Sequence, residues 1–291
     1  MENFHERFLR SNPTFMSRIC LSFLFFISIA CHPGDEKKNL VLHSNSLNSP
    51  ETVAGIALPP GFKRVALPAH SFGEWLRSVP LKKDNLVHLY NGELKADQSS
   101  QFAVLDIRVG TKDLQQCADA ILRLRAEYFL QQNRPNLIAF RATDGTVLSF
   151  PDWKKGIRYK LAGNKLTLYK QNFDDTDTRR NLESFLETVF SFCGTLSLSH
   201  EMHSKNIRDI NPGDVFVKGG SPGHAMVVMD VAINEAGKKI FILAQSYMPA
   251  QDIHIVKNPM DVELSPWYNV NDSKSLVTPG WVFDPGQIKE W

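Results

Sequence analysis

The stretch Asn211-Pro212-Gly213-Asp214-Val215-Phe216-Val217, continued by Gly223-His224-Ala225-Met226-Val227-Val228-Met229-Asp230-Val231-Ala232 and Lys239-Ile240-Phe241-Ile242-Leu243-Ala244-Gln245, decides the fold. These are β-branched and apolar runs bounded by Pro, Gly and Asn, the pattern of strands in a sheet buried on both faces. They follow two helical segments in the chain. Strands collected after helices, each separated from the next by a short turn, give an antiparallel sheet and an α+β fold.

Working outward, Asp113 to Gln132 carries Leu114, Cys117, Ile121, Leu122, Leu124, Tyr128 and Phe129 at three- and four-residue spacing. That period predicts an amphipathic helix, with Thr111 or Asp113 as its cap. Thr178 to Phe192 reads as a second one, with Leu182, Phe185, Leu186, Val189 and Phe190 on a shared face and Gly194 beyond its end. Ser71 to Arg77 suits a short helix ahead of Pro80. Leu86 to Tyr90 and Phe102 to Val109 read as strands. Between the long helices, Leu137-Ile138-Ala139-Phe140 and Thr146-Val147-Leu148-Ser149-Phe150 flank Asp144-Gly145, a hairpin signal, and Leu166-Thr167-Leu168-Tyr169 adds a strand. This β-rich stretch, about residues 135–172, is expected to be an insertion in a single domain spanning 53–291.

The N-terminal end is of another character. Arg7, Arg10 and Arg18 precede the apolar run Ile19 to Ala30, which falls short of the roughly 20 residues that span a bilayer. The order predicts a signal peptide over residues 1–30. Ser28-Ile29-Ala30-Cys31 has the form of a lipobox, so Cys31 is expected to carry lipid and bind the membrane. Residues 31–52, polar and rich in Asn and Ser, read as a flexible tether. The expected location is the bacterial cell envelope, lipid-anchored on the periplasmic or cell-surface side. With 33 basic against 31 acidic side chains, nucleic acid is not an expected partner.

Within the folded part only Cys117 and Cys193 remain, and in an oxidising compartment the two could pair. As a free thiol, Cys117 near a helix start would feel unpaired amides and the positive end of the dipole, which favour thiolate, while Asp113 and Asp119 oppose it. Cys193 falls at a helix end, where the dipole works against it. His224 opens a strand. A hairpin centred near Ala236 sets position 248 across from it and brings Gln245 within about one ladder step, so that Gln245 can orient the imidazole for a thiol proton. The Cys117 amide, with Gln115 or Gln116, could receive an oxyanion, and Tyr247 lies in the loop beside the expected groove. The cluster His200-Glu201-Met202-His203, with Asp252 and His254, misses the spacing of the zinc signature. No metal and no cofactor are expected.

Pro212-Gly213-Asp214-Val215-Phe216 followed by Gly223-His224 resembles the NlpC-type, papain-like cell-wall peptidases. The resemblance implies a core of helices packed on an antiparallel sheet, with Cys117 as nucleophile, His224 as base and Gln245 as third residue. It implies cleavage of an amide in peptidoglycan or a related envelope peptide. A non-catalytic envelope binding protein on the same scaffold is the alternative. A second resemblance covers about Gly55 to Trp281. Leu58-Pro59-Pro60-Gly61-Phe62, Ser71-Phe72-Gly73-Glu74-Trp75-Leu76, Asp113-Leu114-Gln115-Gln116-Cys117-Ala118-Asp119, Gly194-Thr195-Leu196-Ser197-Leu198 and Gly223-His224-Ala225 look like a bacterial family of unknown function, number 4846. That likeness implies envelope lipoproteins and no particular activity.

Overall fold

The computed structural model describes residues 50–174, 176–271 and 274–291. The signal peptide, Cys31 and nearly all of the tether read from the sequence lie outside the described residues. No helix among the described residues is long and apolar enough to cross a membrane.

In chain order the elements are β1 (Phe62–Arg64), α1 (Phe72–Ser78), β2 (Gln101–Val104), α2 (Cys117–Gln131), β3 (Ala139–Arg141), β4 (Val147–Ser149), α3 (Phe150–Lys154), β5 (Ile157–Ala162), β6 (Lys165–Lys170), α4 (Thr178–Phe192) and α5 (Thr195–Glu201). There follow β7 (His203–Ser204), β8 (Val215–Lys218), β9 (His224–Asn234), β10 (Lys239–Gln245), β11 (His254–Val256), β12 (Tyr268–Asn269), β13 (Leu276–Val277), β14 (Val282–Phe283) and β15 (Ile288–Glu290). The architecture is mixed α+β. Its main sheet runs β2-β11-β10-β9-β8-β15-β7, with β1 added to β9 and β12 to β10. Every pairing in it is antiparallel.

One face of this sheet, through Ala225, Val227, Met229, Ile240, Ile242 and Ala244, joins the core that holds the helices. The other, through Met226, Val228, Val231, Phe241 and Leu243, packs with Tyr268, Phe283 and Ile288. Both faces are therefore dry, as the unbroken apolar runs predict. The hairpins β3-β4 and β5-β6 form two small sheets outside the main one, with α3 between them. They fall in the stretch read as a β-rich insertion.

Four local expectations are corrected. The first long helix begins at Cys117 rather than Asp113, because Gln116 is extended (φ −93°) and Asp119 Oδ2 accepts its N–H at 3.0 Å, closing the first turn from inside. Asp113 serves a different backbone, accepting the Ala250 N–H at 2.7 Å. Nor is this helix half-solvated, since Ala118, Asp119, Ala120, Ile121, Leu122, Arg123 and Leu124 are consecutively buried, a helix covered on most sides. Leu86 to Tyr90 is not a strand: His88 and Leu89 make only isolated bridges, to Leu94 and Gln251. Beyond β2, Leu105 likewise bridges to Leu81 alone, so the predicted strand to Val109 stops early.

The β9-β10 hairpin carries an irregularity that matters for the site. Ile233 faces Lys239 and Ile242 faces Asp230, but Leu243 faces Val228 and Ala244 faces Val227. Met229 is thus an extra residue on β9, a bulge. A regular hairpin would set Met248 level with His224 and turn Gln245 to the opposite face. The bulge shifts the frame by one, so Tyr247 falls level with His224 and Gln245 lies two positions away on the same face.

At the centre of the helix-bearing side, Asp230 is fully buried and holds two guanidinium groups, Arg64 Nε at 2.6 Å and Arg77 Nε at 2.5 Å. It also accepts the Val231 N–H at 2.8 Å. Arg77 donates onward to the Val65 and Val231 carbonyls and Arg64 to the Ile56 carbonyl, tying β1 and α1 to β9. Removing the anion from such a cluster strands two cations in a low-dielectric setting. Asp230→Ala is expected to lower the unfolding free energy by about 3 kcal/mol, read from urea melts. A loss below about 1 kcal/mol would show that the cluster contributes no more than an exposed pair.

Candidate functional site

Cys117 is the first residue of α2, and the loop before it is stitched to the loop after β10. Ala250 N–H donates to Asp113 Oδ1, and the buried Ser246 hydroxyl reaches the Gln115 carbonyl at 2.8 Å. These two bonds bring the helix start to the end of the sheet where β9 begins. On the other side, Thr195 Oγ1 donates to the Gly220 carbonyl at 3.1 Å, holding the start of α5 against the loop before β9. Gly223 fits between them because a Cβ there would meet the Gly220 oxygen at 2.3 Å and Thr195 Oγ1 at 2.4 Å.

The space enclosed by these loops is a cavity of about 520 Å³, within the range of small-molecule and peptide sites. Cys117 and His224 both line it, together with Gln116, Asp119, Tyr247 and Trp281. Among the described residues no hydrogen bond joins the Cys117 thiol to the His224 ring. The thiol is instead influenced by the Ala225 backbone, the residue directly after His224. His224 is buried, with Nε2 2.7 Å from Gln245 Oε1. Its ring is clasped by Tyr247, Trp281 and Phe283, at centroid distances of 4.9, 5.4 and 5.9 Å.

Of the other sequence candidates, Gln116 lines the cavity and Gln115 does not. Gln115 is buried behind the helix start, with Oε1 3.5 Å from Arg123 Nη1. Tyr247 is half-buried, and its hydroxyl donates to the Gly280 carbonyl at 3.4 Å. Cys193 also borders the cavity, yet both cysteines are free thiols and the conceivable disulfide is absent. The histidine cluster is dispersed: His203 lies in β7 at one margin of the sheet and His254 in β11, with the four strands β10, β9, β8 and β15 between them. Among the described residues no group of three or more His, Cys, Asp or Glu is placed to hold a metal ion.

Two groups that the sequence placed in other roles, His254 in a loose histidine cluster and Asp119 as an acid opposing the thiolate, are buried beside the site. His254 is fully buried, with Nε2 3.4 Å from Gln245 Nε2 and Nδ1 2.9 Å from the Asp252 carbonyl. Its strand is three residues long, too short for periodicity to reveal. Asp119 was legible only as an acid near Cys117; its burial comes from packing around α2.

Burial dominates the titration of the site. The Cys117 thiol is pushed up from its ordinary value mainly by burial, and further by Asp119, against the amides of Ala225, Ala118 and Cys117 that favour thiolate. The expected activation by the helix start is thus present and outweighed. Burial pushes Cys193 up further still, helped by Asp119, Glu201 and Asp144. It raises Asp119 to about 8 despite the Gln116 N–H, and lowers His224 and His254 to about 4 each. At neutral pH the site therefore holds uncharged thiol and imidazole groups and a largely protonated carboxyl.

Residues 53–290 match the model of the family described as Domain of unknown function (4846), and the chain belongs to that family. No curated protein and no solved structure matches it.

These shifts set the pH dependence of stability. The two histidines resist protonation in the folded state, so their contribution is complete above about 6.5 and is lost as pH falls toward 4. Asp119 resists ionisation, so its contribution is complete below 3.8 and is lost as pH rises toward 8. Between those limits two protons outweigh one, and the thermal midpoint is expected to peak near pH 6.5. Asp119→Asn should flatten the decline between pH 6.5 and 8; an unchanged alkaline limb would remove Asp119 as its cause.

Proposed function

We propose that this family member is a papain-like cysteine hydrolase, an amidase or peptidase acting on peptidoglycan or a related envelope peptide, and held to the membrane through lipid on Cys31. The observation that carries the catalytic part is the shared cavity: a helix-start cysteine and a strand-start histidine, more than a hundred residues apart in sequence, face one space, and a buried amide engages the histidine.

The chemistry follows from the neutral resting state. Gln245 Oε1 can only accept, so His224 donates to it through Nε2–H and keeps the Nδ1 lone pair for a thiol proton. Cys117 Sγ attacks the carbonyl carbon of a bound amide as its proton passes to His224 Nδ1. The C–N bond then breaks, and that proton leaves on the departing amine. Water, deprotonated by the same imidazole, opens the thioester to a carboxylic acid and restores the thiol. The Cys117 N–H and the Gln116 side chain would receive the oxyanion, and Tyr247 would flank the substrate.

The raised Cys117 thiol, with no hydrogen bond to His224, favours a second reading, in which the same scaffold binds an envelope glycan or peptide without cleaving it. Mass spectrometry of peptidoglycan fragments and soluble envelope peptides incubated with the protein separates the two. Hydrolysis should release new amine and carboxyl termini. Cys117→Ala and His224→Ala should each reduce the rate at least ~100-fold, and iodoacetamide should abolish it. Rapid alkylation of Cys193 with Cys117 inert, or turnover by Cys117→Ala, would overturn the hydrolase. For the anchor, cells fed radiolabelled palmitate should label the wild type and not Cys31→Ala; equal labelling would refute attachment at Cys31.

A further inference from the structure

The hydrolase reading requires one particular tautomer of His224, and the tautomer depends on which end of the Gln245 amide faces the ring. With Oε1 toward His224, the ring carries its proton on Nε2 and leaves Nδ1 bare. With the amide reversed, an N–H would face Nε2, which would become the acceptor, and the proton would move to Nδ1, where it would block proton abstraction. Gln245 is buried, so water does not fix the choice.

We infer that His254 is a positioning residue that sets the Gln245 amide and, through it, the tautomer of His224. The argument begins at a backbone carbonyl. Asp252 O can only accept, and it lies 2.9 Å from His254 Nδ1, so His254 is protonated there. His254 is fully buried, and a second proton would place an unpaired charge in the core. Nε2 is therefore a bare lone pair, 3.4 Å from Gln245 Nε2. That lone pair accepts only an N–H, which turns the amide nitrogen of Gln245 toward His254 and leaves Oε1 for His224 at 2.7 Å.

The relay thus runs from the Asp252 carbonyl through His254 and Gln245 to His224 Nε2–H, and each member has one orientation once the carbonyl is given. Strand pairing supports it, since Gln245 and His254 are partners in the β10-β11 register and so project to the same face of the sheet. The Asp252 carboxylate does not break the chain, since it is turned away to Lys82 Nζ at 2.7 Å and the His88 N–H at 2.9 Å.

This rests on the hydrolase reading for its purpose, and its test is independent of it. Long-range nitrogen–proton correlation spectra of the imidazole rings at pH 7 report each tautomer directly, with no substrate. The wild type should show His224 purely as Nε2–H and His254 purely as Nδ1–H. His254→Leu should lose the pure His224 tautomer and give a mixture, and His254→Gln, which restores an acceptor near the position of Nε2, should recover it. His224 found as Nδ1–H in the wild type, or purely Nε2–H in folded His254→Leu, would overturn the relay. The wild-type spectrum decides alone if His254→Leu does not fold. The expected tautomers with no hydrolysis of any fragment would leave the relay standing and count against the hydrolase.

Discussion

β9 and β10 run in register from their shared turn until Ile242, then lose step by one residue at Met229. A strand's side chains alternate faces with a period of two, so this single extra residue exchanges the faces of everything beyond it relative to the partner strand. Without it His224 and Gln245 would lie on opposite sides of the sheet. With it they meet at 2.7 Å, while Ala232 stays in the helix-bearing core and Asp230 stays buried with its two arginines. The bulge thereby reconciles two demands on one strand, a buried charge cluster at one end and a polar pair at the other.

The electrostatics at the site follow from depth rather than from charge pairing. Cys117 sits at a helix start, where amides favour thiolate, yet burial and Asp119 prevail. His224 is enclosed by aromatic rings and stays neutral. Burial thus leaves both the thiol and the imidazole that line the shared cavity uncharged at neutral pH. The polar atoms that are present are arranged to orient: carbonyl, imidazole, amide and imidazole in turn.

Much of this was legible in the chain, unevenly. α4 was readable to the residue because Leu182, Phe185, Leu186 and Val189 keep a helical period with solvent on the other side. α2 was misread at its start and in its exposure, because a helix covered on most sides leaves no polar stripe, and its true cap, Gln116 with Asp119, is a weaker signal than an Asp at position 113. The short strand holding His254 and the helix α5 give too few residues for any period to emerge. Of the oxyanion candidates, Gln115 and Gln116 are adjacent and chemically identical, and only the turn before α2 separates the one that lines the cavity from the one buried behind it.

By itself the sequence determined the α+β class, the antiparallel closing sheet and the residue types able to do nucleophilic chemistry, because hydrophobic period and turn residues act over a few positions. Tertiary structure alone decided that Cys117 and His224 share a cavity, that Gln245 lies on the histidine's face, and that His254 stands behind it. Those relations depend on strand register across a bulge and on loop-to-loop hydrogen bonds between segments more than a hundred residues apart. No local pattern carries such information, since one residue of register reverses a face while leaving composition and period almost unchanged.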